Sequence, residues 1–441
     1  MQRAAFEVID GFRFPFGSSN SSSICVTSAG KRLFSGTSDG IINLYECRDV
    51  NRCALADTIK KNSKERKAVS NMMCIESWRV MICIADGVVT AYDSQFYQLL
   101  STIVDNKGCH LFAVNEKSYS LVLANKKKIY LYSWNQPGFV LGKEYNLNDV
   151  PKSLHYMQQT QQTGAIILGF RKHYEVLDLV TSRTARIVDV EKEHKMFCLE
   201  LPASALRPGS VLLSLGVQGI VIENSKFLSL GSQRINIVGN ASSMLEWVYQ
   251  PLTASLVNPF IVSLLADNSN SIEIHDVATL NQLQKINVFS THMSSDRISI
   301  STCFVDVDRG GMPILSASGA SSSQQQYLYI CNGEQVSMLK MVPLQSQIDT
   351  LKSAFLYEQA INLYRMCADT DYAKGIALND LYEANARSLL LKGDFGRAIS
   401  NYIQVLAHCL VYTPTHTHTY THTSVSSPYL APKRSSRPVT E

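Results

Sequence analysis

The sequence predicts a mainly β protein, a seven-bladed β-propeller followed by the start of an α-solenoid. Three observations predict it. A two-strand unit recurs seven times, its spacing is steady, and after Val342 the apolar residues switch from strand to helix periodicity.

The unit is an apolar run of about five residues, a polar or glycine turn, and a second, alternating apolar run. The first copy is Leu33 to Gly36, turn Ser38-Asp39-Gly40, then Ile41 to Tyr45. The second is Val80 to Ala85, turn Asp86-Gly87, then Val88 to Tyr92. Copies three and four are Leu121 to Ala124 with Ile129 to Tyr132, and Ala165 to Leu168 with Tyr174 to Leu177. Copies five and six are Val211 to Leu215 with Ile220 to Ile222, and Ile261 to Leu265 with Ile272 to His275. The seventh is Ile314 to Ala317, a Ser/Gln-rich loop, then Tyr327 to Ile330. Asp, Asn and Gly in the turns tolerate the positive φ that tight hairpins need.

The turns recur every ~40–52 residues, and strands at such a period are the mark of propeller blades. One hairpin is half of a four-stranded blade. Weaker runs such as Ile235 to Val238 and Leu245 to Tyr249 supply the remainder. Blades stacked in a ring bury one another's faces and leave only short edges. Two separate β-sandwiches are the rival, and the even period from Gly40 to Ser322 argues against them. The propeller is therefore assigned to residues 1–342.

Residues 343–405 read as helical hairpins. Ile348, Leu351, Phe355, Ala360, Ile361 and Tyr364 follow helical spacing, as do Leu381, Tyr382, Ala386, Leu389 and Leu390. Lys392-Gly393 is a stop signal and Asp394 an N-cap for a last helix carrying Phe395, Ala398, Ile399 and Tyr402. Ala360 and Ala398 stand where paired helices approach closely. Two hairpins are fewer than the ~3 repeats that usually bury a continuous solenoid core.

Residues 406–441 change character again. Thr413 to Thr423 alternates Thr with His416, His418 and His422, and Ser, Pro and Arg follow, so a disordered tail is expected. A metal-binding tract is one reading. The other is that a run of CA dinucleotides, which encodes alternating Thr and His, has been carried into a gene model from non-coding sequence.

Composition narrows the function classes. The chain has 441 residues, 45% hydrophobic and 18% charged, with a formal charge of +4, which argues against nucleic acid as the ligand. The eleven cysteines form no C-x-x-C pair, and Cys74, Cys83 and Cys331 lie in apolar runs. That pattern predicts reduced core residues in a cytosolic protein rather than zinc ligands or disulfides. Acceptor-like triplets begin at Asn20 and Asn240, but the first residues contain no apolar signal segment. No phosphate loop, zinc-protease helix, nucleophile elbow or dinucleotide glycine motif is present. No enzyme activity, metal or cofactor is expected.

The candidate partner-binding residues are Lys126, Lys127 and Lys128, a cationic run on a hairpin turn that suits an acidic partner surface. The lysine-rich stretch Lys60 to Lys67 reads as a flexible insert between blades one and two, with contact to anionic lipid as the alternative. Ser318 to Gln326 reads as a polar loop. Trp78, Trp134 and Trp247 adjoin strands and read as blade-packing residues.

The stretch Tyr327 to Leu351 resembles the end of a citron-homology (CNH) domain. With the order propeller then helices, the chain is similar to the Vam-type vacuolar protein sorting subunits of the HOPS and CORVET endolysosomal tethering complexes. In that family a Pro and then a Gln-Ile pair mark the exit into clathrin-heavy-chain-like repeats, matched here by Pro343 and Gln347-Ile348. Tyr357 to Leu363 and Leu391 to Tyr402 resemble that repeat type. The resemblance covers residues 4–405, without the long remainder of the solenoid or a C-terminal cysteine-rich zinc module. It implies a non-enzymatic subunit, peripheral on late endosomes and lysosomes through its partners, which are a Rab-type GTPase and other subunits. Two alternatives share the layout: a CNH-type adaptor in TGF-β receptor signalling, and a coat or nuclear-pore scaffold.

Overall fold

The computed structural model describes residues 4–412 apart from segments 14–22, 30–31, 50–51, 61–66, 105–106, 158–163, 191–193, 202–208, 225–243, 268–270, 289–298, 308–312, 315–323, 332–334 and 368–371. Short buried strands joined by tight turns build seven antiparallel sheets. Blade one is β2 (Ser23–Ala29), β3 (Arg32–Thr37), β4 (Ile41–Asp49) and β5 (Arg52–Lys60), from the ring's inside outward. Blade two is β6 (Val69–Ile75), β7 (Val80–Ala85), β8 (Val88–Asp93) and β9 (Leu99–Val104). Blade three is β10 (Cys109–Asn115), β11 (Ser120–Asn125), β12 (Lys128–Asn135) and β13 (Gly138–Asn146). Blade four is β14 (Ser153–Met157), β15 (Ala165–Phe170), β16 (His173–Asp178) and β17 (Thr184–Asp189). Blade five is β18 (Cys198–Leu201), β19 (Ser210–Leu215), β20 (Gln218–Glu223) and β21 (Met244–Glu246). Blade six is β22 (Pro251–Val257), β23 (Phe260–Leu265), β24 (Ser271–Asp276) and β25 (Gln282–Asn287).

Blade seven corrects one expectation. Its inner strands are β26 (Ser299–Val307) and β28 (Gln324–Cys331), with the two-residue β27 (Pro313–Ile314) on the inner edge and β29 (Gln335–Met341) outside. The partner of Tyr327 to Ile330 is thus β26, not the run from Ile314, whose residues 315–317 lie outside the described segments. The shift arises because the outer strand comes from the other end of the chain. β1 (Phe6–Arg13) pairs with β29 from Phe6↔Met341 to Arg13↔Gln335, closing the ring. The Gln284 amide of β25 holds this closing strand. Its Oε1 accepts from the Ala5 and Phe6 amides at 2.8 and 3.0 Å, and its Nε2 donates to the Phe6 carbonyl at 2.9 Å. Phe6 also meets Phe260 of β23 edge-on at 5.6 Å.

The core lies between the blades. In β7 every residue is buried, because side chains alternate between two covered faces. Met81, Cys83 and Ala85 pack on Phe34, Ile42 and Leu44 of blade one. Ile82 and Ile84 pack on Leu121 and Leu123 of blade three. Each such aliphatic side chain contributes ~1.5–3 kcal/mol by its burial. Cys83 and Cys331 are buried thiols outside any disulfide, as their apolar settings predict, while Cys74 is half-buried. The second turn needs its glycine. Asp86 and Gly87 have φ of 53° and 74°, and a side chain at Gly87 would collide with the Gly108 backbone.

Ionisable residues interrupt the apolar pattern in β24. Glu273 and His275 are both buried, with His275 Nε2 3.9 Å from Glu273 Oε2 and Trp247 edge-on to the imidazole at 6.4 Å. Burial lowers the His275 pKa from 6.5 to about 4. The unfolded chain therefore takes the proton first, and stability falls as pH drops from 6.5 towards 4. The full effect is about 3 kcal/mol. Glu273 opposes it: burial raises its pKa, so the folded carboxyl takes up its proton earlier than the unfolded one. The urea midpoint is expected to fall between about pH 7 and pH 5, with a shallower fall in His275→Gln. An unchanged slope in that variant would refute the assignment.

After β29 come α1 (Leu344–Ser353) and α2 (Tyr357–Cys367), grouped with the propeller in one compact unit that ends at Thr370. Pro343 starts α1, and the buried Gln347 donates its amide to the Val342 carbonyl at 2.7 Å, tying the helix to the last strand. Ile348, Leu351, Ala360 and Ile361 are buried as expected. Phe355 is not: it is exposed in the turn between the helices with φ of 59°.

The second unit contains α3 (Tyr372–Leu391) and α4 (Phe395–Tyr412). Gly393 adopts φ of 79° at the stop, and Asp394 Oδ1 caps α4 by accepting from the Arg397 amide at 3.2 Å. Ala398 is fully buried, and Asn385 donates across the pair to Asn401 at 3.1 Å. Phe395 and Ile399 depart from expectation by facing outward. Among the described residues, no helix is long and apolar enough to cross a membrane. The Asn20 and Asn240 triplets, Ile235 to Val238, residues 61–66, 318–323 and the Thr/His tail lie outside the described residues.

Candidate interaction surfaces

Antiparallel blades give a propeller two loop-bearing faces of different make. One carries the turns between second and third strands together with the connections from each blade to the next. Backbone bonds join them: Cys109 N to Gly87 O at 3.1 Å, Leu147 N to Lys127 O and Val190 N to Lys172 O at 2.7 Å, and Trp247 N to Val217 O at 2.9 Å. We call this the connection face. The other carries the first and last turns of each blade, joined for example by Ser94 N to Arg79 O at 3.0 Å and Trp134 N to Tyr119 O at 2.7 Å.

The lysine triplet is on the connection face, at the turn between β11 and β12. Its three members differ. Lys128 is ion-paired with Glu144 of β13, which raises its pKa. Lys127 Nζ donates to the Asn148 carbonyl at 2.9 Å. Lys126 takes the left-handed position of the turn, with φ of 51°. All three are exposed. The turns flanking them carry Lys107, Lys152, Arg171 and Lys172, which no local sequence pattern connects to the triplet. In the neighbouring turn, Lys107 at 3.0 Å and Lys67 at 3.7 Å hold the Asp86 carboxyl below its usual pKa.

The opposite face carries an aromatic cluster at blades two and three. Trp78 stacks on Tyr119 with centroids 5.9 Å apart and on Trp134 at 6.2 Å, and Trp134 meets Phe139 at 4.8 Å. Trp78 is buried, as the strand-packing reading expects, and so is Trp247. Trp134 is half-buried and Tyr119 is 54% exposed. Val140 and Leu141, next to Phe139 on β13, are exposed, as is Phe96 on the same face. Sequence reasoning missed this cluster. The available signal was that Trp78 and Tyr119 close the first turns of consecutive blades. Aromatic side chains that are part buried and part accessible supply much of the energy of protein interfaces.

Among the described residues, no group of three or more His, Cys, Asp or Glu is placed to hold a metal ion.

Comparison with known proteins agrees with the architecture. Residues 29–296 match the family described as the CNH domain. The chain is 22% identical over 419 residues to the Vam6/Vps39-like protein of Homo sapiens and likewise to that of Mus musculus. Each alignment takes in 89% of this chain but 40% of the relative, so the chain spans less than half the length of these proteins. Among solved structures, Saccharomyces cerevisiae Sqt1 superposes with a TM-score of 0.50 at 10% identity, over 78% of this chain and all of that one. The AfRom2 CNH domain gives a TM-score of 0.48 at 13% identity, over 76% of this chain and 99% of that one.

Proposed function

This chain belongs to the CNH domain family, and from that premise we propose that it is a non-enzymatic vacuolar-sorting subunit that tethers endolysosomal membranes before fusion. The observation that carries the reading is the order of parts. A rigid ring leads through Pro343 and the Gln347 bond into paired helices, and the similarity to Vam6/Vps39-like proteins runs through both. The ring supplies a fixed recognition surface, and the helical arm supplies reach. Tethering needs several modest contacts whose effective concentration rises once the first is made, and no catalytic step.

The partner proposed for the propeller is a Rab-type GTPase, docked on the aromatic cluster around Tyr119 and Trp134. Other tethering subunits join through the helical part, which places the protein peripherally on late endosomes and lysosomes. Pull-down of late-endosomal Rab-type GTPases by the 441-residue chain is expected to depend on GTP. Tyr119→Ala with Trp134→Ala is expected to lower retention about tenfold or more, the loss typical of aromatic hot spots. Equal retention of the GDP and GTP forms would remove the GTPase from the proposal, and full retention by the double variant would move its site elsewhere.

A further inference from the structure

The connection face of blades two to four holds an arc of exposed cations that the tethering reading does not use. Lys107, Lys126, Lys127, Lys152, Arg171 and Lys172 occupy consecutive tips, and all six are exposed. Asp86, Asp105 and Asp149 are the acidic residues of the same turns. Six cations against three carboxylates leave this arc with a net positive charge.

We propose that this face docks directly on an anionic lipid bilayer. Three features favour a bilayer over a protein. The tips are held in place, because each turn of blades two to four is hydrogen-bonded to the blade connection beside it through Gly87, Lys127 and Lys172. A fixed row of charges on consecutive blades suits an extended surface of headgroups. Five of the six cations are lysines, compact point charges suited to a diffuse anionic field, whereas arginine predominates where paired acceptors are held in fixed geometry. Finally, the same face continues at blade five into exposed apolar tips. Val217 lies in the turn of that blade, joined by the Trp247–Val217 bond to Val248 and Tyr249. The Lys285 ammonium lies 5.1 Å from the Tyr249 ring centroid. Apolar tips beside a cationic arc give the two signals that stable attachment to a membrane surface requires.

The test is co-sedimentation of the 441-residue chain with phosphatidylcholine vesicles, alone or with about 30 mol% phosphatidylserine, at low and high salt. Binding is expected only to the anionic vesicles and is expected to fall with salt. Lys126→Glu, Lys127→Glu and Lys172→Glu combined are expected to weaken it by about a hundredfold, at several-fold per surface lysine. Val248→Asp with Tyr249→Asp is expected to weaken it while leaving its salt dependence in place. Unchanged thermal unfolding of both variants shows that the fold is retained.

Equal binding to neutral vesicles, or wild-type binding by the charge-reversed variant, overturns the proposal. Capture by immobilised polyglutamate with no binding to anionic vesicles also overturns it, and assigns the arc to an acidic protein. No GTPase is present in this assay, so its outcome is separate from that of the GTPase pull-down.

Discussion

A chain lacking residues 1–13 is expected to lose cooperative unfolding, with its urea transition broadened and shifted to much lower denaturant. Those residues contain β1, which supplies the outer strand of blade seven. Its removal uncovers the edge of β29 and vacates the places of Ala5 and Phe6, both buried. The Gln284 amide is left without three of its partners. Losing one aromatic core side chain costs ~3–5 kcal/mol, and unmade hydrogen bonds add ~1 kcal/mol or more each. The sum is comparable with the ~5–15 kcal/mol that separates most folded domains from their unfolded chains. Gln284→Ala is the milder version, expected to cost ~2–3 kcal/mol through the same three bonds. Tryptophan fluorescence during urea titration reads both. A wild-type midpoint in the deleted chain would show that the ring does not depend on β1.

Self-association through the last helix is the second large effect expected. On α4, Phe395, Ile399, Ile403 and Leu406 are 64, 58, 55 and 63% exposed and follow the spacing of one helical face. No described residue covers them. In a solenoid such a face seats the next helical pair. Left open, a contiguous apolar patch of a few hundred Å² drives association. Sedimentation velocity is expected to show concentration-dependent oligomers of the 441-residue chain. Replacing Phe395, Ile399 and Ile403 by glutamate or lysine is expected to weaken association at least about tenfold. Ala398 and the Asn385–Asn401 bond lie on the packed side, so thermal unfolding should change little. A wild-type chain that stays monomeric at high concentration would contradict the expectation.

Six of the seven hairpins are legible in the sequence because their strands are buried on both faces and flank turns with obvious chemistry. Val80 to Ala85 is a plain apolar run for this reason. The outer strands are harder to see. β13, Gly138–Asn146, is largely exposed and carries Lys143 and Glu144, so its apolar signal is weak. β1 is invisible to a search for repeats: it stands before the first unit, and its partner lies at the far end of the propeller. That displacement also explains why the seventh hairpin is read one strand early. Of the candidate site, the lysine run is legible, but its arrangement is not. Lys128 meets Glu144 only through the register of β12 on β13, and Lys107 and Arg171 flank the triplet through the stacking of consecutive blades rather than sequence proximity. In α4 the sequence identifies the helix and its cap but not which face is covered, because Ala398 and Ile399 are equally apolar neighbours.

The pairing of Phe6 with Met341 also sets a timetable. On a ribosome adding ~5–20 residues per second, β1 emerges roughly twenty seconds to a minute before its partner strand exists. For that interval β1 has no mate, while the blades behind it are emerging and pairing. An unpaired strand edge invites wrong pairing with other nascent chains, so a holding chaperone has its greatest leverage on this protein at β1, before Met341 has left the exit tunnel.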